Sequence, residues 1–276
     1  MRFGAALAVT MMLAVAVGMA APVRGEDGER WAQALAAGEK AYDGGDYKAA
    51  LDAWLPSARE GVASAQYNVA TLYRLGKGVT TDAAAAAEWY RRAADQGHKR
   101  SQVNMGRLYL DGVGVEDDTA AASQWFRAAA EQDYSIGQYY LGRLYAKGLG
   151  VEQDYKTAAD LYRDAAEQGL SEAAYDLAVM YRRGEGIERD DKAAAKWYAA
   201  AAFAGHEAAQ FSLAVMYDEG REIDGDPGKA YFWYNVAAQG GNPVAARNRD
   251  RLAEILTPAQ LSTARKLAAA WERRPK

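Results

Sequence analysis

The chain contains no cysteine. That absence excludes disulfides, thiolate metal sites, a thiol nucleophile and a lipid-carrying cysteine near the N-terminus, so stability has to come from packing. Histidine is almost as scarce, with His98 and His206 the only two in 276 residues. His206-Glu207 does not continue to a second histidine four residues on, so the zinc-protease pattern fails. Both histidines are read as solvated turn residues. Neither sign of charge dominates: 33 basic and 37 acidic side chains give a formal charge of −4, which offers no field to recruit nucleic acid or anionic lipid. No serine is followed three residues later by lysine, which removes the serine-lysine pattern of penicillin-binding enzymes. The many glycine pairs complete neither Gly-x-Gly-x-x-Gly nor a phosphate-binding loop. With no nucleophile and base at a recognisable spacing, the chain reads as a non-enzyme that carries no cofactor and no metal.

Long apolar runs are missing as well, except at the N-terminus. Ala5 to Val17 is apolar apart from Thr10, Arg2 precedes it, and Gly18 and Ala20 follow at the −3 and −1 positions of a cleavage site. This core is shorter than the roughly 20 residues a spanning helix needs. Residues 1–20 are therefore expected to be a signal peptide cut near Ala20/Ala21. The mature chain is expected to be periplasmic or secreted, without stable membrane insertion. Residues 21–30 are read as a short linker.

What the chain has in abundance is repetition. A 36-residue block recurs five times from Gly61 to Gly240 without insertion or deletion, framed as 61–96, 97–132, 133–168, 169–204 and 205–240. Tyrosine returns as Tyr73, Tyr109, Tyr145, Tyr181 and Tyr217, and aspartate as Asp82, Asp118, Asp154, Asp190 and Asp226. A fixed period of this size means a solenoid whose units bury apolar faces only against their neighbours. Within the first unit, Ala65, Val69, Leu72 and Tyr73 make one helical stripe, and Ala86, Trp89, Tyr90, Ala93 and Ala94 make a second. Each unit is thus two amphipathic helices. Between them lies Gly76-Lys77-Gly78-Val79, matched by Gly112 to Val115, Gly148 to Val151 and Gly184 to Ile187. The first glycine suits a left-handed helix end, and the aspartate suits an N-cap. Small residues at Ala70, Gly106, Gly142, Ala178 and Ala214 are expected to let helices approach, with the tyrosine column filling the space beside them. If that column is core, Tyr145→Ala would cost roughly 3–5 kcal/mol.

Ala-Gln-Tyr-Asn-Val-Ala-x-Leu-Tyr-x-x-Gly-x-Gly-Val at 65–79, followed by Asp-x-x-x-Ala-x-x-Trp-Tyr-x-x-Ala-Ala at 82–94, resembles the Sel-one-like repeat (SLR), a relative of tetratricopeptide repeats. The resemblance implies an all-α, right-handed α-solenoid of helix-turn-helix repeats. It also implies binding of a protein or peptide partner, in roles such as envelope scaffolding or modulation of a membrane-bound system. Some secreted, cysteine-rich members are associated with β-lactam hydrolysis, but their cysteines are missing here. The ends depart from the repeat. Residues 31–60 resemble an ordinary tetratricopeptide unit with Trp54 in the aromatic column. Residues 241–276 read as capping helices, the last with Leu261, Ala264, Ala268 and Trp271 as its stripe.

In a tetratricopeptide-like stack the first helices line the concave face, and positions there that do not repeat are free of packing duty. These give a candidate partner site of Asn68, Thr71, Arg74, Asn104, Arg107, Tyr140, Arg143 and Arg182. Stacked guanidinium groups beside amides suit an acidic segment or a free C-terminus. The competing reading of these residues is a solubilising surface. For the whole chain, a cell-wall glycan binder or enzyme, and a purely structural spacer, remain open alternatives. Nothing in the sequence specifies the oligomeric state.

Overall fold

The computed structural model describes residues 25–220 and 224–272. The signal peptide read at 1–20 and the start of the linker lie outside the described residues. Fourteen helices and no strand occur among the described residues. The N-terminal pair is α1 (Gly25–Asp43) and α2 (Tyr47–Arg59). The repeat pairs follow as α3 (Ala63–Leu75) with α4 (Ala83–Asp95), α5 (Lys99–Asp111) with α6 (Thr119–Ala130), and α7 (Ser135–Lys147) with α8 (Tyr155–Glu167). Next come α9 (Ser171–Arg183) with α10 (Asp191–Phe203), then α11 (Glu207–Glu219) with α12 (Pro227–Gln239). Finally, α13 (Pro243–Ile255) and α14 (Pro258–Glu272) close the stack. From α1 to α13 each helix packs chiefly on its neighbours in the chain, whereas α14 passes over α13 to pack on α12. The protein is an all-α helical-repeat solenoid. Residues 25–30, read from sequence as linker, are the first turns of α1, where Arg30 and Trp31 both donate to the Glu60 carboxylate.

The capping chemistry follows the repeat. Gly76, Gly112, Gly148, Gly184 and Gly220 each end a first helix in the left-handed region. The aspartate column caps every second helix; Asp118 Oδ1, for example, accepts from the Ala120 and Ala121 N–H groups at 2.9 Å. Each aspartate N–H in turn donates to the carbonyl of its unit's tyrosine, as Asp154 does to Tyr145 at 3.0 Å. The histidines are not solvated turn residues. His98 and His206 are half-buried N-caps whose Nδ1 accepts from Ser101 N–H and Ala209 N–H, with their rings against Tyr67 and Tyr175.

The core corrects one expectation. Tyr73, Tyr109, Tyr145, Tyr181 and Tyr217 are only half-buried, with Tyr109 and Tyr145 accepting hydrogen bonds from Arg91 and Arg127 on the preceding second helix. The rings packed inside are Tyr90, Phe126, Tyr162, Tyr198 and Tyr234, on the second helices. Trp54 holds the same place in the N-terminal pair. The small column of the first helices exists for these rings: a Cβ on Gly106 would run into Phe126, and one on Gly142 into Tyr162. The large packing cost expected at Tyr145 therefore belongs to Phe126 and its equivalents.

Two contacts lock one unit to the next. Gln66 donates to the Ala58 carbonyl of the preceding helix at 3.0 Å and accepts from Gln96 at 2.8 Å. Gln102 repeats this with Ala94 and Gln132. The other lock is the second loop glycine, which lies against the first turn of the preceding unit's second helix. A Cβ on Gly114 would overlap the Ala83 carbonyl, and one on Gly150 the Thr119 carbonyl. At the C-terminal end, Trp271 meets Phe203, Phe232 and Trp233 while Ala264 and Ala268 are buried, which makes α14 the lid over the last repeat.

The glycine lock is directly testable. Gly150 and Gly169 both have positive φ, but nothing lies within 4 Å of a Cβ at Gly169. Gly169→Ala should cost about 1 kcal/mol for left-handed backbone alone. Gly150→Ala should cost about 3 kcal/mol, because the overlap with a backbone carbonyl adds to it. Urea denaturation of both variants checks this, and equal midpoints would rule out the inter-unit contact.

Candidate functional site

The first helices carry an aromatic column one residue before Asn68: Tyr67, Val103, Tyr139, Tyr175 and Phe211. Where the residue is aromatic it packs on the second-helix ring of its own unit. Centroid separations are 5.8 Å for Tyr67–Tyr90, 5.8 Å for Tyr139–Tyr162, 5.6 Å for Tyr175–Tyr198 and 5.8 Å for Phe211–Tyr234. Val103 breaks the column. Phe126 instead takes Tyr140 from the following unit, stacked at 4.9 Å and nearly parallel. The missing ring leaves a recess of about 510 Å³. Tyr67, Val103, Tyr134, Tyr139 and Tyr140 form its walls, with Arg100, Asn104, Arg107 and Glu172 around them.

The same unit breaks a second rule. In the first unit Thr71 and Arg74 are tied to the Tyr90 hydroxyl, at 2.9 and 3.3 Å. Thr71 and Arg74 thus spend their polar groups inside their own unit. Arg182 lies near the Tyr198 hydroxyl, where it works against the larger upward effect of burial on that phenol. Phe126 has no hydroxyl, so Arg107, at the place of Thr71, has nothing equivalent to hold and stands exposed. It has no ion-pair partner among the described residues. Arg107 and Tyr140 also belong to an adjoining recess of about 240 Å³ that contains Arg143, Lys147 and Asp111. The structure therefore gathers Asn104, Arg107, Tyr140 and Arg143 on one surface. Asn68 and Thr71 line a third recess, of about 320 Å³, with Glu39, Tyr42, Asp43, Trp54 and Tyr67.

Arg143 is a more constrained cation than Arg107. Its guanidinium lies 5.7 Å from the Tyr139 ring centre and 5.9 Å from that of Tyr140. It also faces Asp176, a half-buried carboxylate of the next unit. Burial pushes the Asp176 carboxyl above its usual range, while Arg143 and the nearby Tyr139 hydroxyl pull the other way. Burial and the Asp176 charge push the Tyr139 phenol well up, so it stays protonated. Sequence reasoning missed Tyr67, Arg100, Tyr134, Lys147 and Asp176 as parts of this surface. The break at Val103, in a column otherwise aromatic, was the signal that would have found it.

A further recess, of about 780 Å³, lies at the loop between α9 and α10. Three of its charges are engaged: Asp190 caps α10, and Asp191 pairs with Arg189 at 2.6 Å. Among the described residues no cluster of histidine and carboxylates is arranged to hold a metal, and no helix is long and apolar enough to cross a membrane.

The Asp176 environment makes a signed prediction. A folded-state pKa above the unfolded value means the ionised group opposes folding at neutral pH, and this cost disappears as pH falls through the folded value. Asp176→Asn should therefore melt higher than wild type at pH 7. The difference should shrink toward pH 4, where the wild-type carboxyl becomes protonated. A lower melting temperature for the variant at pH 7 would contradict this account.

Comparison with known proteins agrees with the geometry. The Sel1 repeat model matches residues 63–98, 99–134, 135–170, 171–206 and 207–242. This is the same 36-residue period as the sequence frame, started two residues later at the first residue of each first helix. No curated protein matches the chain. Among solved structures, a Sel1 repeat protein from Oxalobacter formigenes is 31% identical, with a TM-score of 0.74 over 86% of this chain and 99% of that one. A protective antigen of uropathogenic Escherichia coli with an SLR fold is 28% identical, with a TM-score of 0.49 over 90% of this chain and 61% of the antigen. A Sel1 repeat protein from Klebsiella pneumoniae subsp. pneumoniae is 23% identical, with a TM-score of 0.46 over 72% of this chain and 97% of that one. Five contiguous matched units, and a relative superposing over nearly its whole length, make this chain a member of the Sel1 repeat family.

Proposed function

We propose that this protein is an exported scaffold that holds a protein or peptide partner on the concave, first-helix face of its solenoid, around Arg107. Sel1 repeats generally mediate protein–protein interaction, and such scaffolds are typically non-enzymatic. The observation that carries the reading is the exposed, unpaired Arg107 on the rim between two recesses, flanked by Asn104, Tyr140 and Arg143. A guanidinium in that setting grips a carboxylate through paired N–H donors, and the tyrosine walls supply apolar contact for a neighbouring side chain. The partner is accordingly an acidic segment or a free C-terminal carboxylate. The apolar N-terminal stretch, read as a signal peptide, supports work outside the cytoplasm, in envelope assembly or in regulation of a membrane-bound system.

A second reading has its own support. Tyr67, Tyr134, Tyr139 and Tyr140 around Asn104 and Glu172 also suit a glycan, because sugar rings stack on aromatics and hydrogen-bond to amides and carboxylates. The two readings separate on Arg107.

The test uses a fluorescent peptide ending in two glutamates and a free carboxylate, with a glutamine-ended amide as control. Arg107→Gln should weaken binding of the acidic peptide about tenfold, which corresponds to ~1.4 kcal/mol, and the affinity should fall as salt rises. Peptidoglycan fragments that bind without regard to Arg107, when the peptide does not bind, would establish the glycan reading instead. Export is checked separately by N-terminal sequencing of protein recovered from its own cells. The first residue should lie at or just after Ala21, and retention of Met1 would refute cleavage.

A further inference from the structure

The charge along the first-helix face changes sign, and this restricts what the partner is. Tyr67 belongs both to the recess of the N-terminal pair and to the recess of the Val103 unit, so the two form one continuous surface from α1 to α7. At the α1 end the charged groups are Glu39 and Asp43, four residues apart and on one helix face. Both are exposed, and neither has an ion-pair partner among the described residues. The nearby Lys77 is engaged with Tyr42, whose hydroxyl accepts from it at 3.0 Å, and with the Tyr47 ring. At the α5–α7 end, the four cations Arg100, Arg107, Arg143 and Lys147 outnumber the carboxylates Asp111, Glu172 and the half-buried Asp176.

We infer that the partner segment is dipolar, with its acidic end over Arg107 and Arg143 and a cationic side chain against Glu39 and Asp43. The inference rests on the proposed peptide-binding role and adds a second anchor to it. A uniformly acidic segment long enough to fill the face would meet like charge at α1, and a uniformly basic one would meet it at α5 and α7. Only opposite charges at the two ends satisfy both. Packed helices lie about 8–10 Å apart, so two to three helix spacings separate the anchors. An extended chain at about 3.3 Å per residue covers that span in roughly 5–9 residues. The same spacing separates the two charged ends of the segment.

Calorimetry with N-acetylated, C-amidated twelve-residue peptides tests this. One has two lysines at one end, two glutamates at the other and serine, leucine and glycine between. Its counterpart has glutamine in place of both lysines. Wild-type protein should bind the dipolar peptide about tenfold more tightly than its counterpart. Glu39→Gln/Asp43→Asn protein should bind the two equally, whereas Arg107→Gln protein should bind both more weakly and keep the difference between them. Equal binding of the two peptides by wild type, or a lysine effect that survives in the Glu39/Asp43 variant, would overturn the dipolar assignment. The peptide-binding role would then stand, provided Arg107 still matters. Failure of either peptide to bind wild type, together with failure of the free-carboxylate probe, would overturn both.

Discussion

Four successive loops of this solenoid lie with their second glycine against the backbone of the preceding unit's second helix, and the rest of the architecture depends on that contact. Gly78, Gly114, Gly150 and Gly186 approach the first turns of α2, α4, α6 and α8 so closely that a Cβ would overlap main-chain atoms. Because the neighbour is backbone, no side-chain rearrangement makes room. The glycine, the left-handed helix end before it and the capping aspartate after it stand at set distances along the chain. An inserted residue would displace all three from the unit they lock onto, which accounts physically for a repeat without insertion or deletion.

On that frame the interior is assembled from a small residue on each first helix and a ring on each second helix. The ring's polar tip then decides what the outer face offers. In the first and last repeats the ring's hydroxyl bonds a first-helix side chain, as Tyr90 does with Thr71 and Arg74 and Tyr234 with Asp218. Phe126 has no such tip, and the column residue beside it is Val103 rather than an aromatic. Two conservative apolar changes in one unit thus open a recess and leave one arginine uncommitted. The candidate site arises from a local departure from the repeat rather than from any added element.

The surface around it is electrostatically layered. Arg107 is exposed and ready for a partner, whereas Arg143 is held by two tyrosine rings and a half-buried aspartate. Desolvation of Asp176 is a standing cost in the folded state, and it sets the position of the cation that borders the recess. Equal spacing of arginines along the chain therefore does not make them equal receptors.

Much of the architecture is legible in the residues alone. The period, the paired helices, the glycine ends, the aspartate caps and the closing helix all rest on local backbone chemistry, which acts within a few residues of the chain and repeats whenever the same letters do. The interior was misjudged where several apolar columns compete. Periodicity says that Tyr73 and Tyr145 are equivalent, but not that their column lies at the rim while Tyr90 and Phe126 lie inside. The choice depends on the direction from which the neighbouring unit packs. The histidines show the same limit, since a cap needs only Nδ1 and a free N–H, whereas burial of the ring needs Tyr67 or Tyr175 from the preceding first helix. Of the candidate site, the sequence alone marked Arg107, Arg143, Asn104 and Tyr140 as unrepeated first-helix positions. Stacking adjacent repeats also put these four on one face; only the tertiary structure decided that Thr71 and Arg74 turn instead to the Tyr90 hydroxyl of their own unit. Hydrogen-bond partners some 16 to 19 residues away are set by helix packing, and no spacing along one helix reports them.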